Sequence, residues 1–201
     1  MESGTLEKID HLMRRSGVLR ARDLAAEGVH AETVRRLCQA GAIERVGRGL
    51  YTVPDQPVSE YYALTLVASR VPRAVVCLLS ALRFHEIGTQ HPHEVWIALR
   101  NGSSTPVTDA VALRVVRFSG PSFDEGREVH LLDGVPTTIY CPAKTVADCF
   151  KFRNRVGLDV AIEALKDCIH NQRCTIDELF HFASICRVAR IMRPYVEAVT
   201  G

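Results

Sequence analysis

The chain has 201 residues, 47% of them apolar, 24% charged and 6% aromatic; that composition excludes disorder and collagen and suits one large domain or two modest ones. Lysine and arginine total 25 against 23 acidic residues, a formal charge of +2, so net charge points to no class of partner and any nucleic-acid site has to be a local patch. The longest apolar runs, such as 74–79, are far short of the roughly 20 residues of a membrane helix, and Met1-Glu2-Ser3-Gly4 opens no secretory signal. A cytoplasmic chain without a membrane partner is expected. The cysteines, Cys38, Cys77, Cys141, Cys149, Cys168, Cys174 and Cys186, are odd in number, scattered, and form no CxxC pair. Structural zinc is therefore not expected, and the thiols read as small core residues.

A break at Pro54-Asp55-Gln56-Pro57 separates a short Arg-rich segment from a longer, more apolar one. The spacing of Leu6, Ile9, Leu12 and Met13 predicts a first helix ending at Ser16-Gly17. A short helix over 22–27 is closed by Gly28, whose missing Cβ permits a left-handed turn. The third helix, 32–40, puts Val34, Leu37 and Cys38 on one side and Glu32, Thr33, Arg35, Arg36 and Gln39 elsewhere; Gly41 terminates it. Runs over 43–46 and 50–53 around Gly47-Arg48-Gly49 predict a hairpin with Arg48 at its tip. Together these predict a winged helix-turn-helix over residues 1–55.

The second domain, 58–201, is expected to open with a helix over 60–71 whose stripe is Tyr61, Leu64, Val67 and Ala68. Residues 75–82 read either as a strand followed by a helix or as one buried helix, with a helix over 79–85 favoured. Strands are expected at 95–99, 113–118, 128–132 and 137–140, the last two joined by Asp133-Gly134-Val135-Pro136, in a mixed sheet. Then come a helix from Pro142 with Val146, Ala147, Cys149 and Phe150 inward, one over 159–170, and one over 175–188 opened by the capping box Thr175-Ile176-Asp177-Glu178. In a last segment, 188–199, Pro194 should kink or break the helix. The fold class is α+β: an N-terminal winged helix-turn-helix and a mixed α/β domain with a helical C-terminal end.

A helix in a major groove needs donors for base edges and phosphates. Thr33, Arg35, Arg36 and Gln39 lie on the face the core stripe leaves free, and Arg45 and Arg48 lie on the wing, where they can grip phosphate or a minor groove. The plainer alternative is the solvated face of a protein-binding winged helix. In the second domain Lys144, Lys151, Arg153 and Arg155 cluster, while Arg187, Arg190 and Arg193 recur every three residues as if on one helix face. Each group is a solvated flank or a basic patch for DNA or an acidic partner.

Enzyme readings are weaker. His85, His91 and His93 with Glu86 and Glu94 have no fixed metal-ligand spacing. Cys141 or Cys149 as nucleophile lacks an identified histidine. Asp109, Asp124, Glu125 and Glu128 with Lys144 could serve a metal-dependent nuclease, but these carboxylates fall in expected loops. No phosphate-binding glycine loop is present, and no cofactor is expected.

Four blocks carry a family resemblance: 41–51 (GAIERVGRGLY), 77–88 (CLLSALRFHEIG), 95–98 (VWIA) and 140–150 (YCPAKTVADCF). In order and spacing they resemble the AbiEi antitoxins of type IV toxin-antitoxin systems, over nearly the whole chain from about residue 5. The resemblance implies a winged helix-turn-helix that binds inverted repeats in the operon's own promoter, and a C-terminal domain that counteracts a nucleotidyltransferase toxin, AbiEii. Neither part would be an enzyme. It also implies DNA contact by Thr33, Arg35, Arg36, Gln39, Arg45 and Arg48. Ser80 and His85 are read as a structural pair, with Asp148 or Lys144 anchoring a helix. The alternatives are a DNA-targeted metal-dependent nuclease and a regulator whose second domain senses a ligand.

Overall fold

Helix α1 (Glu2–Ser16) buries Ile9, Leu12 and Met13, the inner positions of its helical stripe, but leaves Leu6 47% exposed. With Leu24 of α2 (Ala21–Ala26), Val34 of α3 (Ala31–Gln39), Leu19, Val29 and Ile43, these residues form the core of the N-terminal segment. This is a computed structural model, and it describes residues 2–16, 18–47, 49–54, 59–106 and 111–200.

Two glycines shape the helix-turn-helix. Gly28 (φ 77°) follows α2, and the amides of Gly28 and Val29 return to the carbonyls of Ala25 and Leu24 at 3.0 and 2.8 Å. Gly41 (φ 70°) closes α3 in the same way through Cys38 and Leu37. Both are Schellman closures, in which a left-handed residue lets the chain satisfy the last carbonyls of a helix.

The wing is a three-stranded antiparallel sheet of order β1-β3-β2: β1 (Leu19–Arg20), β2 (Glu44–Gly47) and β3 (Leu50–Thr52). The expected hairpin forms, with Arg45 opposite Tyr51 and an irregularity before Gly47. Two residues carry no alternation, so β1 leaves no sequence signal.

The chain divides into two compact units, Met1–Pro72 with His130–Thr137, and Arg73–Val129 with Thr138–Gly201. Helix α4 (Tyr62–Arg70) therefore belongs with the first unit instead of opening the second core. It buries Thr65, Leu66 and Val67, while Tyr61, Leu64 and Ala68 of the expected stripe stay half-buried. Polar contacts hold it: the Arg70 guanidinium donates to the Val46 carbonyl at 3.0 Å and the Thr65 hydroxyl to Asp133 at 3.1 Å.

The five-stranded sheet has the order β6-β5-β4-β8-β7. Its strands are β4 (Val75–Val76), β5 (Val95–Arg100), β6 (Leu113–Phe118), β7 (Arg127–Leu132) and β8 (Val135–Tyr140). β5 runs parallel to β6 and antiparallel to β4, and β4 pairs parallel with β8, so the sheet is mixed. Helix α5 (Leu78–Phe84) links β4 to β5, and the short α6 (Pro121–Asp124) precedes β7. Ser80 and His85 each bond a strand. The Trp96 amide donates to the Ser80 hydroxyl at 2.9 Å, and His85 Nε2 lies 2.8 Å from the Tyr140 carbonyl oxygen. Each thus ties α5 or its end to a different strand.

The helical end comprises α7 (Pro142–Lys151), α8 (Arg153–Val156), α9 (Leu158–His170), α10 (Ile176–Ile185) and α11 (Ala189–Thr200). Every residue of α7 from Ala143 to Phe150 is buried. At about 1.5–3 kcal/mol for each large apolar side chain buried, α7 is a main source of stability in this unit. The Thr175 capping box forms as expected. Helix α10 ends earlier than expected, at Ile185, because Arg187 (φ 59°) takes the left-handed position of another Schellman closure. Helix α11 runs through Pro194 without breaking. The lost hydrogen bond is offset by burial of Met192 and Val196 on either side.

The architecture is α+β, a winged-helix arrangement of helices and strands followed by a mixed α/β part that ends in helices. Among the described residues, no helix is long and apolar enough to cross a membrane.

Candidate nucleic-acid interface

Helix α3 presents Arg35, Arg36 and Gln39 to solvent because Val34 is the residue it buries, with Leu37 and Cys38 half-buried beside it. The two arginines differ. Arg35 is held by Glu32 one turn back, with Nη2 to Oε1 at 2.8 Å and Nε to Oε2 at 3.1 Å. This two-pronged hydrogen bond raises the Arg35 pKa and offsets its charge in place. Arg36 and Gln39 have no hydrogen-bond partner among the described residues.

Thr33 is half-buried and sits at the edge of the free face. With Arg36 and Leu37 of α3, Ala40 just past its end, Ala42, and Thr5 and Leu6 of α1, it lines a groove of about 640 Å³. Sequence reasoning did not find this groove. Its signals were the small residues Ala40 and Ala42 and the outermost stripe residue, Leu6, which stays 47% exposed. On the wing, Arg45 is exposed and its Nε donates to the Gly47 carbonyl at 3.2 Å, which props the turn. Arg48 lies outside the described residues.

The basic residues of the second unit differ in exposure. Lys144 is fully buried. Its ammonium donates to Asp148 at 2.5 Å and lies over the rings of Tyr140 and Phe118, at 4.2 and 4.7 Å from their centroids, so it offers no charge to a surface. Burial pushes the Asp148 carboxyl above its ordinary range, and Lys144 opposes this. The exposed Lys151 donates to the Cys186 carbonyl at 3.3 Å, and Arg153 to the Phe150 carbonyl at 3.0 Å, both near α7's C-terminal end. Arg155 and Arg193 lie against the rings of Phe152 and Phe180. Arg190 and Arg193 share α11, but Arg187 sits outside it in the left-handed turn, so the three do not share a helix face.

Three of the carboxylates weighed for enzymatic chemistry sit in ion pairs or beside a histidine. Asp124 pairs with Arg100 and, at 3.3 Å, with Arg127. Glu125 meets His181 at 3.2 Å, and Glu94 meets Arg114 at 2.7 Å. Asp109 lies outside the described residues. Among the described residues, no three His, Cys, Asp or Glu side chains gather to hold a metal ion. Desolvation pushes the Cys141 thiol up to about 11 and the fully buried Cys149 thiol higher still, which keeps both protonated at neutral pH.

In fold, the chain is similar to the crystal structure of the RV2827C protein from Mycobacterium tuberculosis, with a TM-score of 0.63 over 98% of this chain and 78% of that one, at 14% sequence identity. None of the curated proteins matches the sequence. Residues 3–54, from α1 through the wing, match the family model described as a transcriptional regulator, AbiEi antitoxin.

Proposed function

We propose that the chain is a non-catalytic antitoxin that represses its own operon by binding inverted repeats in the double-stranded promoter DNA and counteracts a nucleotidyltransferase toxin of the AbiEii kind. The observation that carries this reading is the open face of α3, where Arg36 and Gln39 are exposed and have no hydrogen-bond partner among the described residues, inside the segment similar to AbiEi regulators. Arg36, Gln39 and Arg35 would reach base edges, while Thr33, Arg45 and Arg48 hold phosphate and set the register. Lys151, Arg153, Arg155, Arg187, Arg190 and Arg193 are available for further backbone contact or for the toxin. DNA recognition is assigned to residues 1–55 and toxin neutralisation to residues 58–201.

The test uses the full chain and a fragment from upstream of its own operon in a gel shift at physiological salt. Replacing Arg35 and Arg36 together by Ala should abolish the shifted band; unchanged affinity would reject the assignment. The same variant should still relieve growth arrest when co-expressed with a neighbouring nucleotidyltransferase, because the two activities are assigned to different parts of the chain. A second reading, a ligand-responsive regulator, draws support from the groove beside Thr33 and Arg36, whose volume lies within the usual range for small-molecule sites. Thermal-shift screening of the wild type against Arg36→Ala distinguishes it.

A further inference from the structure

Cys168 and Cys174 approach each other across the connection between α9 and α10, with their sulfur atoms 2.8 Å apart. A backbone hydrogen bond holds Cys168, and Cys174 directly precedes a capped helix start. After α9 the chain reverses through Gln172 (φ 51°), and the Arg173 amide donates back to the Cys168 carbonyl at 2.9 Å. One residue beyond Cys174, the Thr175 capping box fixes the start of α10. Bond formation needs the sulfurs to close by less than an ångström, to about 2.05 Å. The two thiols also differ in access, since Cys168 is buried and Cys174 half-buried. Among the described residues, no other pair of cysteines shares a sulfur–sulfur hydrogen bond.

We propose that Cys168 and Cys174 form a peroxide-reactive dithiol that closes reversibly to an intramolecular disulfide. The Cys174 sulfur, as thiolate, attacks one oxygen of hydrogen peroxide. The O–O bond breaks, Cys174 becomes a sulfenic acid, and the leaving hydroxide takes up the thiol's proton as water. The Cys168 sulfur then attacks Cys174 Sγ, its proton leaves with the sulfenic oxygen as a second water, and the S–S bond forms. Two thiols lose two electrons to one peroxide, and a dithiol reductant reverses the change. The closed form links the last turn of α9 covalently to the residue before the α10 cap. This inference is independent of the DNA-binding reading.

The full chain is treated with equimolar hydrogen peroxide, unfolded, alkylated with a maleimide and weighed intact. The wild type should lose two of its seven titratable thiols, regain both with dithiothreitol, and yield a peptide linked through Cys168 and Cys174. Cys168→Ser should stop at a Cys174 sulfenic acid that a dimedone probe traps, and Cys174→Ser should retain its other thiols. Seven alkylated thiols in the treated wild type, or a lost pair mapping to other cysteines, would overturn the proposal. Because the wild-type map is decisive alone, the result does not depend on the variants folding.

Discussion

Lys144 and Asp148, one turn apart on α7, form an ion pair with both side chains fully buried. Asp148 also accepts a hydrogen bond from the Cys186 thiol at 3.2 Å, so α7 is joined through this carboxylate to the end of α10. Replacing Lys144 alone by Met should cost about 3–5 kcal/mol, because an uncompensated carboxylate remains in the core. Pairing it with Asp148→Leu should recover most of that loss. Urea unfolding of both variants checks the pair.

The same carboxylate makes the loss depend on pH. Its folded-state pKa lies above the ordinary value of 3.8, so folding takes up a proton, and stability from this group rises as pH falls through the folded value toward the unfolded one. Without Lys144 the carboxyl is pushed higher still. The Lys144→Met penalty should therefore be largest at weakly alkaline pH and shrink in weakly acidic buffer, as measured by denaturation midpoints across that range.

On α3, the Arg35–Glu32 pair predicts an unequal division of DNA affinity. Arg36→Ala should weaken operator binding by about 1–3 kcal/mol, the value of a good base contact. Arg35→Ala should weaken it less, since part of that guanidinium's bonding is already met by Glu32. Glu32→Ala should free Arg35, tighten binding and steepen the salt dependence by up to about 0.9 in log-log slope for one added phosphate contact. Anisotropy titrations at several salt concentrations read all three.

Gly41 and Gly126 both have positive φ, at 70° and 74°, but differ in surroundings. Nothing lies within 4 Å of a Cβ added at Gly41, whereas at Gly126 it would fall 2.7 Å from Cβ of Lys144. Gly41→Ala should cost about 1 kcal/mol, from backbone conformation alone. Gly126→Ala should cost clearly more, because it also displaces the buried lysine stem. Chemical denaturation ranks the two.

In the α10 cap, Thr175→Ala should remove about 1 kcal/mol of stability. The Thr175 amide and hydroxyl hold the Glu178 pKa below its ordinary 4.5. Stability from this carboxylate is present above 4.5 and lost as pH falls through the lower folded value. The variant should therefore show a shallower acid limb in its stability profile.

Where a structural signal spans only a few residues, it was legible in the sequence. Gly28 and Gly41 marked left-handed helix ends, and Thr175 with Glu178 marked a helix start. Arg187 and Gln172 take the same left-handed position as those glycines without being glycine. The sequence therefore conceals the end of α10 and the position of Arg187 outside the helix that holds Arg190 and Arg193. At the candidate site, the open face of α3 followed from Val34, Leu37 and Cys38, but nothing local showed that Thr33 borders a groove with α1.

Sequence alone determined the helix spacing, the wing's hairpin and the α+β class, since helical and strand periodicities and capping act within one or two turns. Tertiary structure decided which charges remain available. Lys144 reads as one more basic residue in a cluster until Tyr140, Phe118 and Asp148 are seen around it. It likewise brought Cys168 and Cys174 to sulfur contact. The reason is physical: burial and pairing depend on what chain folding places across a gap, and side-chain spacing along one segment carries no record of that.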